Sequence, residues 1–275
     1  MRASDPDRTM TTEEHDLGLS HDLPRLISRR RALGVFAGGV GAAALAACGS
    51  SDGGGDTTAA ASAKSGGSGS EIPEETAGPF PGDGSNGPNA LTESGVVRRD
   101  ITKSFGDASG TAAGVPTTIE MTLLDVAGGG KALAGAAVYL WHCDIDGRYS
   151  MYDQEIASEN YLRGVQESGR DGKVVFESVF PAAYSGRWPH MHFEVYESLD
   201  AATAAGSKLR TSQIALPKDL CEAVYETGGY EQSAGNLGQV SLDTDMVFSD
   251  GYASQLASWS GSADDRIAVK LNVGV

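Results

Sequence analysis

Beyond residue 70 the chain is divided into short apolar or alternating runs, each bounded by Gly, Asp, Ser or Pro. The last run is the clearest, because Ile267, Val269, Leu271 and Val273 alternate with other residues, as on a strand with one buried face. Only the segment Lys218–Tyr225 is typical of a helix. The pattern predicts an all-β fold, an antiparallel β-sandwich with long loops and at most one or two short helices. The predicted strands cover residues 117–124, 136–142, 173–180, 190–196, 240–248 and 266–273.

The first 70 residues have the composition of an export and tethering segment. Residues 28–33 form a twin-arginine pattern, and an uncharged run rich in Gly and Ala follows. This run is shorter than the ~20 apolar residues that span a bilayer, which disfavours a lasting transmembrane helix. Its end, Leu-Ala-Ala-Cys48, resembles a bacterial lipoprotein signal, so Cys48 is the predicted lipid-attachment residue. We expect a signal segment over 1–48, a flexible Gly/Ser-rich tether over 49–70 and one folded domain over 71–275.

This organisation predicts where the protein resides. The twin-arginine route exports proteins already folded, and a lipid on Cys48 would hold the domain on the outer face of the bacterial cytoplasmic membrane or in the extracellular space. The net charge is −16, and residues 1–48 contribute equal numbers of acidic and basic side chains, so the excess lies in the exported part. An acidic surface disfavours nucleic acid, so we expect no nucleic-acid partner and membrane contact only through the lipid anchor. Cys143 and Cys221 are free to pair or to remain buried thiols.

The segment 184–192, Tyr-Ser-Gly-Arg-Trp-Pro-His-Met-His, is the main candidate for a functional site. Alternate side chains of a strand lie on one face, so His190 and His192 can share a metal ion. Tyr184 is an anionic oxygen donor once deprotonated, and Arg187 supplies a fixed positive charge beside it. Phenolate and imidazole together favour ferric iron. Taken singly, each of these residues is more often an ordinary structural one, and we expect His142 to be structural or to orient a ligand.

Four motifs occur in a fixed order: ETAGPF at 75–80, WHCDIDGRYS at 141–150, GKVVFESVFPAAY at 172–184 and RWPHMH at 187–192. Together they resemble the intradiol ring-cleavage dioxygenases, the family of catechol and protocatechuate dioxygenases, here as an exported lipoprotein subgroup. The resemblance implies that the domain over 71–275 is a catalytic β-sandwich of this type.

The resemblance also implies a non-haem Fe(III) cofactor and a ligand set. Tyr149 and His190 would be equatorial ligands and Tyr184 and His192 axial ones. Tyr184 would also act in catalysis by taking a substrate proton, and Arg187 would stabilise negative charge on the substrate. The implied reaction inserts both atoms of O2 into a catecholic ring and cleaves it between the adjacent hydroxyls, giving a cis,cis-muconate-type product. The implied partners are a catechol-type substrate and O2, and a homo-oligomer is compatible with the sequence.

The substrate contacts follow from the same resemblance. Thr76, Gly78 and Pro79 would shape a loop over the mouth of the site, and Tyr152 and Trp188 would supply aromatic walls. In the cytoplasmic members a longer insertion separates the second tyrosine from the arginine, whereas here only residues 185 and 186 intervene. We therefore expect a more open site that accepts larger or varied catechols.

Two other classes of function are compatible with parts of this sequence. One is a non-catalytic binding lipoprotein on the same sandwich, capturing catechols, iron or sugar, but such a module has no evident need for two phenols beside two imidazoles. The other is a hydrolytic or redox enzyme using zinc or copper, which phenolate ligation and the presence of only three histidines beyond residue 48 disfavour.

Overall fold

The fold is described by a computed structural model over residues 70–204 and 206–275. The predicted signal segment, nearly all of the predicted tether and Cys48 lie outside these residues. Within them, no helix is both long enough and apolar enough to cross a membrane.

The first sheet has five strands, and its central strand is β1 (Pro116–Asp125), which has ten residues. β1 pairs in antiparallel fashion with β2 (Lys131–Ala132) and β5 (Lys173–Val179). It pairs in parallel with β9 (Ile267–Gly274), and β8 (Ser258–Gly261) pairs antiparallel with β9. The parallel β1–β9 pair departs from the antiparallel prediction. It arises because a long connection brings the last strand back beside the first, as parallel pairing requires.

The second sheet has four antiparallel strands in the order β4-β3-β6-β7. They are β3 (Ala137–Trp141), β4 (Arg163–Glu167), β6 (His190–Tyr196) and β7 (Lys208–Ala215). Every residue of β3 and β6 is buried. A strand that is buried on both faces needs a packing layer on each side.

The inner layer is the core between the two sheets. Ile119 and Met121 of β1 pack in one cluster with Leu140 of β3 and with Met191 and Phe193 of β6. These side chains lie at alternate positions of their strands, so the same strands present their other residues away from this core.

The outer layer is formed by the chain that precedes β1. Residues 76–96, here called the cover segment, lie over the outer face of the second sheet, where Ala90, Leu91 and Val96 pack with Tyr139 and Trp141. The histidines of β6 have the same parity as these outward residues. The candidate site therefore lies under the cover segment, outside the main core.

Five of the six predicted strands are present, and the helix Lys218–Tyr225 is confirmed with the predicted bounds. The strand predicted over 240–248 is wrong, because Ser241, Thr244 and Asp245 form local hydrogen bonds that close turns. Asp245, for example, accepts from the backbone N–H groups of Val247 and Phe248. Side chains of this kind compete with strand pairing for the backbone. Strands β2, β4, β7 and β8 were not predicted.

Two short helices were also not predicted, although the all-β class is confirmed. We number the helices α1 (Leu199–Thr203), α2 (Lys218–Tyr225) and α3 (Glu231–Leu237), and a 3-10 turn covers Phe248–Asp250. The side chain of Ser198 caps α1 by accepting from the Ala201 N–H. Helix α3 contains a glycine and is held by tertiary contacts, since Ser233 and Asn236 both hydrogen-bond to the backbone of Ala183.

Cys143 and Cys221 are free thiols, and both are buried. Of the two alternatives that the sequence leaves open, the structure has unpaired cysteines.

Candidate metal centre

Two loops and one strand supply the four candidate ligands. Tyr149 lies in the loop after β3, Tyr184 in the loop after β5, and His190 and His192 on β6. The first loop is shaped by Asp144, whose carboxylate accepts from the backbone N–H groups of Asp146 and Arg148. The two tyrosine loops approach closely at Gly147, where a Cβ atom would lie 3.2 Å from Cβ of Tyr184. Glycine also suits the positive φ of +82° at this position.

The four polar atoms form a continuous cluster. The Tyr149 and Tyr184 hydroxyl oxygens are 3.4 Å apart, the Tyr184 hydroxyl is 3.0 Å from His190 Nε2, and the two histidine Nε2 atoms are 3.1 Å apart. All four predicted ligands are thus brought together. Two ligands that each lie about 2.1 Å from one metal ion, at right angles, are about 3 Å from each other. The cluster has the spacing of a metal-ligand set.

The protonation states of the histidines fit metal binding. Burial is the main cause that lowers the pKa of both His190 and His192 well below the ordinary value, with the Arg187 charge adding to it. Both imidazoles are therefore neutral, which is the form that binds metals. His190 Nδ1 lies 2.5 Å from the Trp188 carbonyl, so this nitrogen carries the proton and Nε2 presents its lone pair to the cluster.

The two phenols need a nearby cation to ionise. Burial raises the pKa of Tyr149 well above its ordinary value, and it raises the pKa of Tyr184 to about 12. Without a cation both would stay protonated near neutral pH. A bound cation inverts this preference, because its charge is the largest in the site. Oxygen and imidazole donors of this kind suit ferric iron, so the residues present fit the metal that the resemblance implies.

His192 is oriented by packing. Its ring stacks on Trp141 with 5.0 Å between ring centroids and an interplanar angle of 9°. Gly78 lies close to the same ring, where an added Cβ would lie 3.3 Å from His192 Cε1. His192 Nδ1 is buried and has no hydrogen-bond partner among the described residues. The imidazole is thus held by ring packing and not by a hydrogen bond at Nδ1, and Nε2 lies in the cluster.

Arg187 is held beside the cluster by two buried partners. Its Nε donates to Asp245 at 2.9 Å, and Nη2 donates to Gln213 at 2.7 Å. Burial alone would lower its pKa, but the neighbouring Tyr184 and Asp245 raise the pKa of Arg187, so the guanidinium remains charged. Nη1 lies 3.4 Å from His190 Nε2. A fixed positive charge therefore lies next to the proposed ligands in a site that excludes most water.

Sequence reasoning missed Asp245 and Gln213. Asp245 was assigned to a strand that does not exist, although the neighbouring Ser and Thr were a turn signal. Gln213 lies in β7, directly opposite His192 in register, and its amide also donates to the Thr76 carbonyl. No local signal marks Gln213, because β7 itself was not predicted.

The residues predicted to contact substrate lie in different parts of the fold. Gly78 touches His192, and Pro79 is half-buried beside it in the cover segment. The Thr76 hydroxyl accepts from the Gly78 N–H and so shapes this turn. Tyr152 bonds to Gly82 and Asn86 of the cover segment. Trp188 is in the main core, where its indole N–H donates to the Leu216 carbonyl.

His142 lies apart from the cluster and has a structural role, since its ring nitrogens bond to the Cys143 carbonyl and the Ser178 hydroxyl. In residues 70–204 and 206–275, no group of three or more His, Cys, Asp and Glu side chains could hold a metal ion. A metal at this site would thus need the two tyrosines as ligands.

Comparison with known proteins bears on this geometry. Residues 86–206 match the family model described as Dioxygenase. A segment of 56 residues is 41% identical to catechol 1,2-dioxygenase 1 of Acinetobacter lwoffii, and it covers 20% of this chain and 18% of that protein. The intradiol ring-cleavage dioxygenase of Tetranychus urticae is similar in structure, with a TM-score of 0.53, 23% identity, and coverage of 66% of this chain and 87% of that one. The β-sandwich is thus a fold that an intradiol dioxygenase has.

We expect Asp245→Asn to destabilise the protein strongly, because the change leaves the buried Arg187 charge without its carboxylate. The loss should be about 3 kcal/mol or more in the free energy of unfolding, as for other broken buried ion pairs. Asp243→Asn, an exposed position in the same loop, is the matched control and should change stability by less than about 0.5 kcal/mol. Urea unfolding of metal-free protein measures both, and equal stabilities of the two variants would contradict this account.

Proposed function

We propose that this protein is a non-haem Fe(III) intradiol dioxygenase that acts on catecholic compounds outside the cytoplasmic membrane. It would insert both atoms of O2 into the ring, cleave between the adjacent hydroxyls and release a cis,cis-muconate-type diacid. The observation that carries the proposal is the cluster of Tyr149, Tyr184, His190 and His192, with hydroxyl and Nε2 atoms 3.0–3.4 Å apart beside a buried arginine. The matches to dioxygenases over part of the chain support the same reaction class.

These four residues would hold the ferric ion. When bound, the ion would supply the Lewis-acid and redox chemistry that makes a catechol ring reactive towards dioxygen. The chain must then provide a proton acceptor, a compensating charge and a site from which most water is excluded.

Tyr184 is suited to accept a substrate proton. It is the half-buried member of the cluster, whereas Tyr149 and both histidines are buried. In the ionised form that a bound cation favours, the Tyr184 phenolate oxygen is a proton acceptor. A catechol hydroxyl that enters beside Tyr184 can therefore transfer its proton to the phenolate oxygen. Tyr149 is more enclosed and would remain a ligand.

Arg187 is suited to stabilise negative charge on the substrate. Its guanidinium is fixed by Asp245 and Gln213 before any substrate arrives, so no reorganisation is needed when charge develops. A preorganised donor in a low-dielectric site acts more strongly than one in water.

The short connection between Tyr184 and Arg187 suggests which range of substrates the site accepts. Ser185 and Gly186 are exposed, and the turn closes with a contact between the Arg187 N–H and the Tyr184 carbonyl. Neither residue of this turn has a bulky side chain. We propose that larger or variously substituted catechols are accepted.

The decisive experiment loads purified protein with iron and adds catechol under air. Ferric tyrosinate ligation should give a red-brown absorption band that catechol shifts, and oxygen uptake should accompany formation of a muconate absorbance. A colourless folded protein in the presence of iron would defeat the proposal. Binding of catechol without oxygen uptake would favour the binding lipoprotein, and an extradiol product would contradict the intradiol reaction.

The two tyrosines should respond differently to removal of their hydroxyls. Tyr184→Phe should keep iron but lower kcat by about 100-fold or more, because a general base is lost. Tyr149→Phe should mainly weaken iron retention against a chelator. Tyr252→Phe, at the edge of the main core and away from the cluster, is the control and should keep both properties. Identical behaviour of Tyr149→Phe and Tyr184→Phe would rule out separate roles.

We propose that the protein is exported by the twin-arginine route and anchored through a lipid on Cys48, on the strength of the pattern at 28–33 and the Leu-Ala-Ala-Cys48 sequence. Cys48→Ala should move the protein from the membrane fraction to the soluble fraction, and replacing both arginines 29 and 30 by lysine should stop export. Cell fractionation with labelled fatty acid measures this, and unchanged membrane attachment of Cys48→Ala would refute the anchor.

A further inference from the structure

Arg163, the first residue of β4, is a buried guanidinium that no proposed catalytic step uses. Its side chain makes five hydrogen bonds, all accepted by neutral oxygens. Nε donates to the Ser150 hydroxyl at 3.1 Å, Nη1 to the Pro81 carbonyl at 2.7 Å and the Tyr139 hydroxyl at 3.2 Å, and Nη2 to the Phe80 and Ser150 carbonyls at 3.0 and 2.8 Å. Its relative exposure is 1%.

These bonds join the two pieces of chain that enclose Tyr149. Phe80 and Pro81 belong to the cover segment, and Ser150 directly follows the ligand Tyr149. The Phe80 ring packs on Tyr149 with 5.1 Å between ring centroids. One side chain thus fixes the backbone next to the ligand and the backbone next to the ring that covers the ligand.

The contact requires close approach. An added Cβ at Gly82 would lie 2.7 Å from Arg163 Nη1, so glycine is needed at this position. The planar guanidinium offers several donors in a fixed arrangement, whereas a lysine ammonium is a point charge on a flexible chain. An apolar side chain would avoid the cost of burying charge but would leave the three carbonyls without these donors.

Backbone strain marks the same place. In residues 70–204 and 206–275, the non-glycine residues with positive φ are Met151, at +72°, and Leu162, at +57°. Met151 follows Ser150 and Leu162 precedes Arg163, so both strained residues adjoin the two ends of this contact. Such conformations cost free energy, persist where the surroundings impose them, and occur preferentially at functional sites.

We propose that Arg163 is a positioning residue that fixes Tyr149 and the Phe80 ring at the metal cluster through its bonds to the Phe80, Pro81 and Ser150 carbonyls. This inference rests on the proposed function, since it assigns Tyr149 as a metal ligand. Arg163 does not touch the reacting atoms in this arrangement. It acts through the ligand and through the ring that covers it.

The test compares Arg163→Lys, which keeps the charge, with Tyr139→Phe, which removes only one acceptor and one bond to Pro81. Phe176→Ala in the core of the other sheet is the control for general loss of stability. Hydrogen–deuterium exchange of metal-free protein is measured for peptides covering residues 76–90, 144–156 and 267–274. Iron-loaded proteins are then measured for the tyrosinate band, iron release, KM and kcat.

We expect Arg163→Lys to speed exchange in 76–90 and 144–156 by about tenfold or more, because several bonds of a charged donor are lost, with no change in 267–274. It should also shift the tyrosinate band and speed iron release, and Tyr139→Phe should do the same to a smaller extent. Phe176→Ala should speed exchange in 267–274 and leave the band unshifted.

Wild-type exchange and an unshifted band in Arg163→Lys would overturn the inference. An equal band shift in Phe176→Ala would also overturn it, because general destabilisation would then explain the effect. The proposed function is judged separately, by iron binding and catechol turnover of the wild-type protein. If the wild type binds no iron while exchange rises in both segments of Arg163→Lys, the proposed function fails and Arg163 has only a structural role.

Discussion

The constraint on which the rest of this structure depends is that the four-stranded sheet is buried on both faces. In strand β6, Met191, Phe193 and Val195 lie at alternate positions and pack in the core between the sheets. Residues of the other parity, including both histidines, face away from it, and none of the strand is exposed. The outer face therefore needs its own cover, which the cover segment and helix α1 supply. The candidate metal cluster occupies the layer between sheet and cover.

A cover made of irregular chain brings unpaired backbone groups into a buried layer, and charged side chains satisfy them. Arg163 binds the carbonyls of Phe80, Pro81 and Ser150. Lys208, the first residue of β7, holds the cover in a different way, through ion pairs of its ammonium with the carboxylates of Asp83 in the cover segment and Glu194 in β6. Buried polar groups are stable when they are hydrogen-bonded. The polar contacts that hold the cover in place thus also define the walls of the site.

Much of this could be read from the sequence where the signal is local. The alternation over the last strand, the helix after Pro217 and the parity of His190 and His192 depend only on neighbouring residues, and the structure confirms these elements. The prediction of a strand over 240–248 was wrong, because the apolar residues of that segment have a strand-like pattern although Asp245 closes a turn there. Gln213 was missed because its strand has a weak pattern and its role depends on lying opposite His192.

By itself the sequence determined the all-β class, most strand positions and the types of residue able to bind a metal, because periodicity and side-chain chemistry are properties of short segments. Only the tertiary structure decided which of those residues meet. Tyr149 reaches the histidines through a loop that Arg163 and Asp144 hold, and Arg187 is directed at the cluster by Asp245, 58 residues further along the chain. Such contacts depend on how distant segments pack, and no local pattern records them.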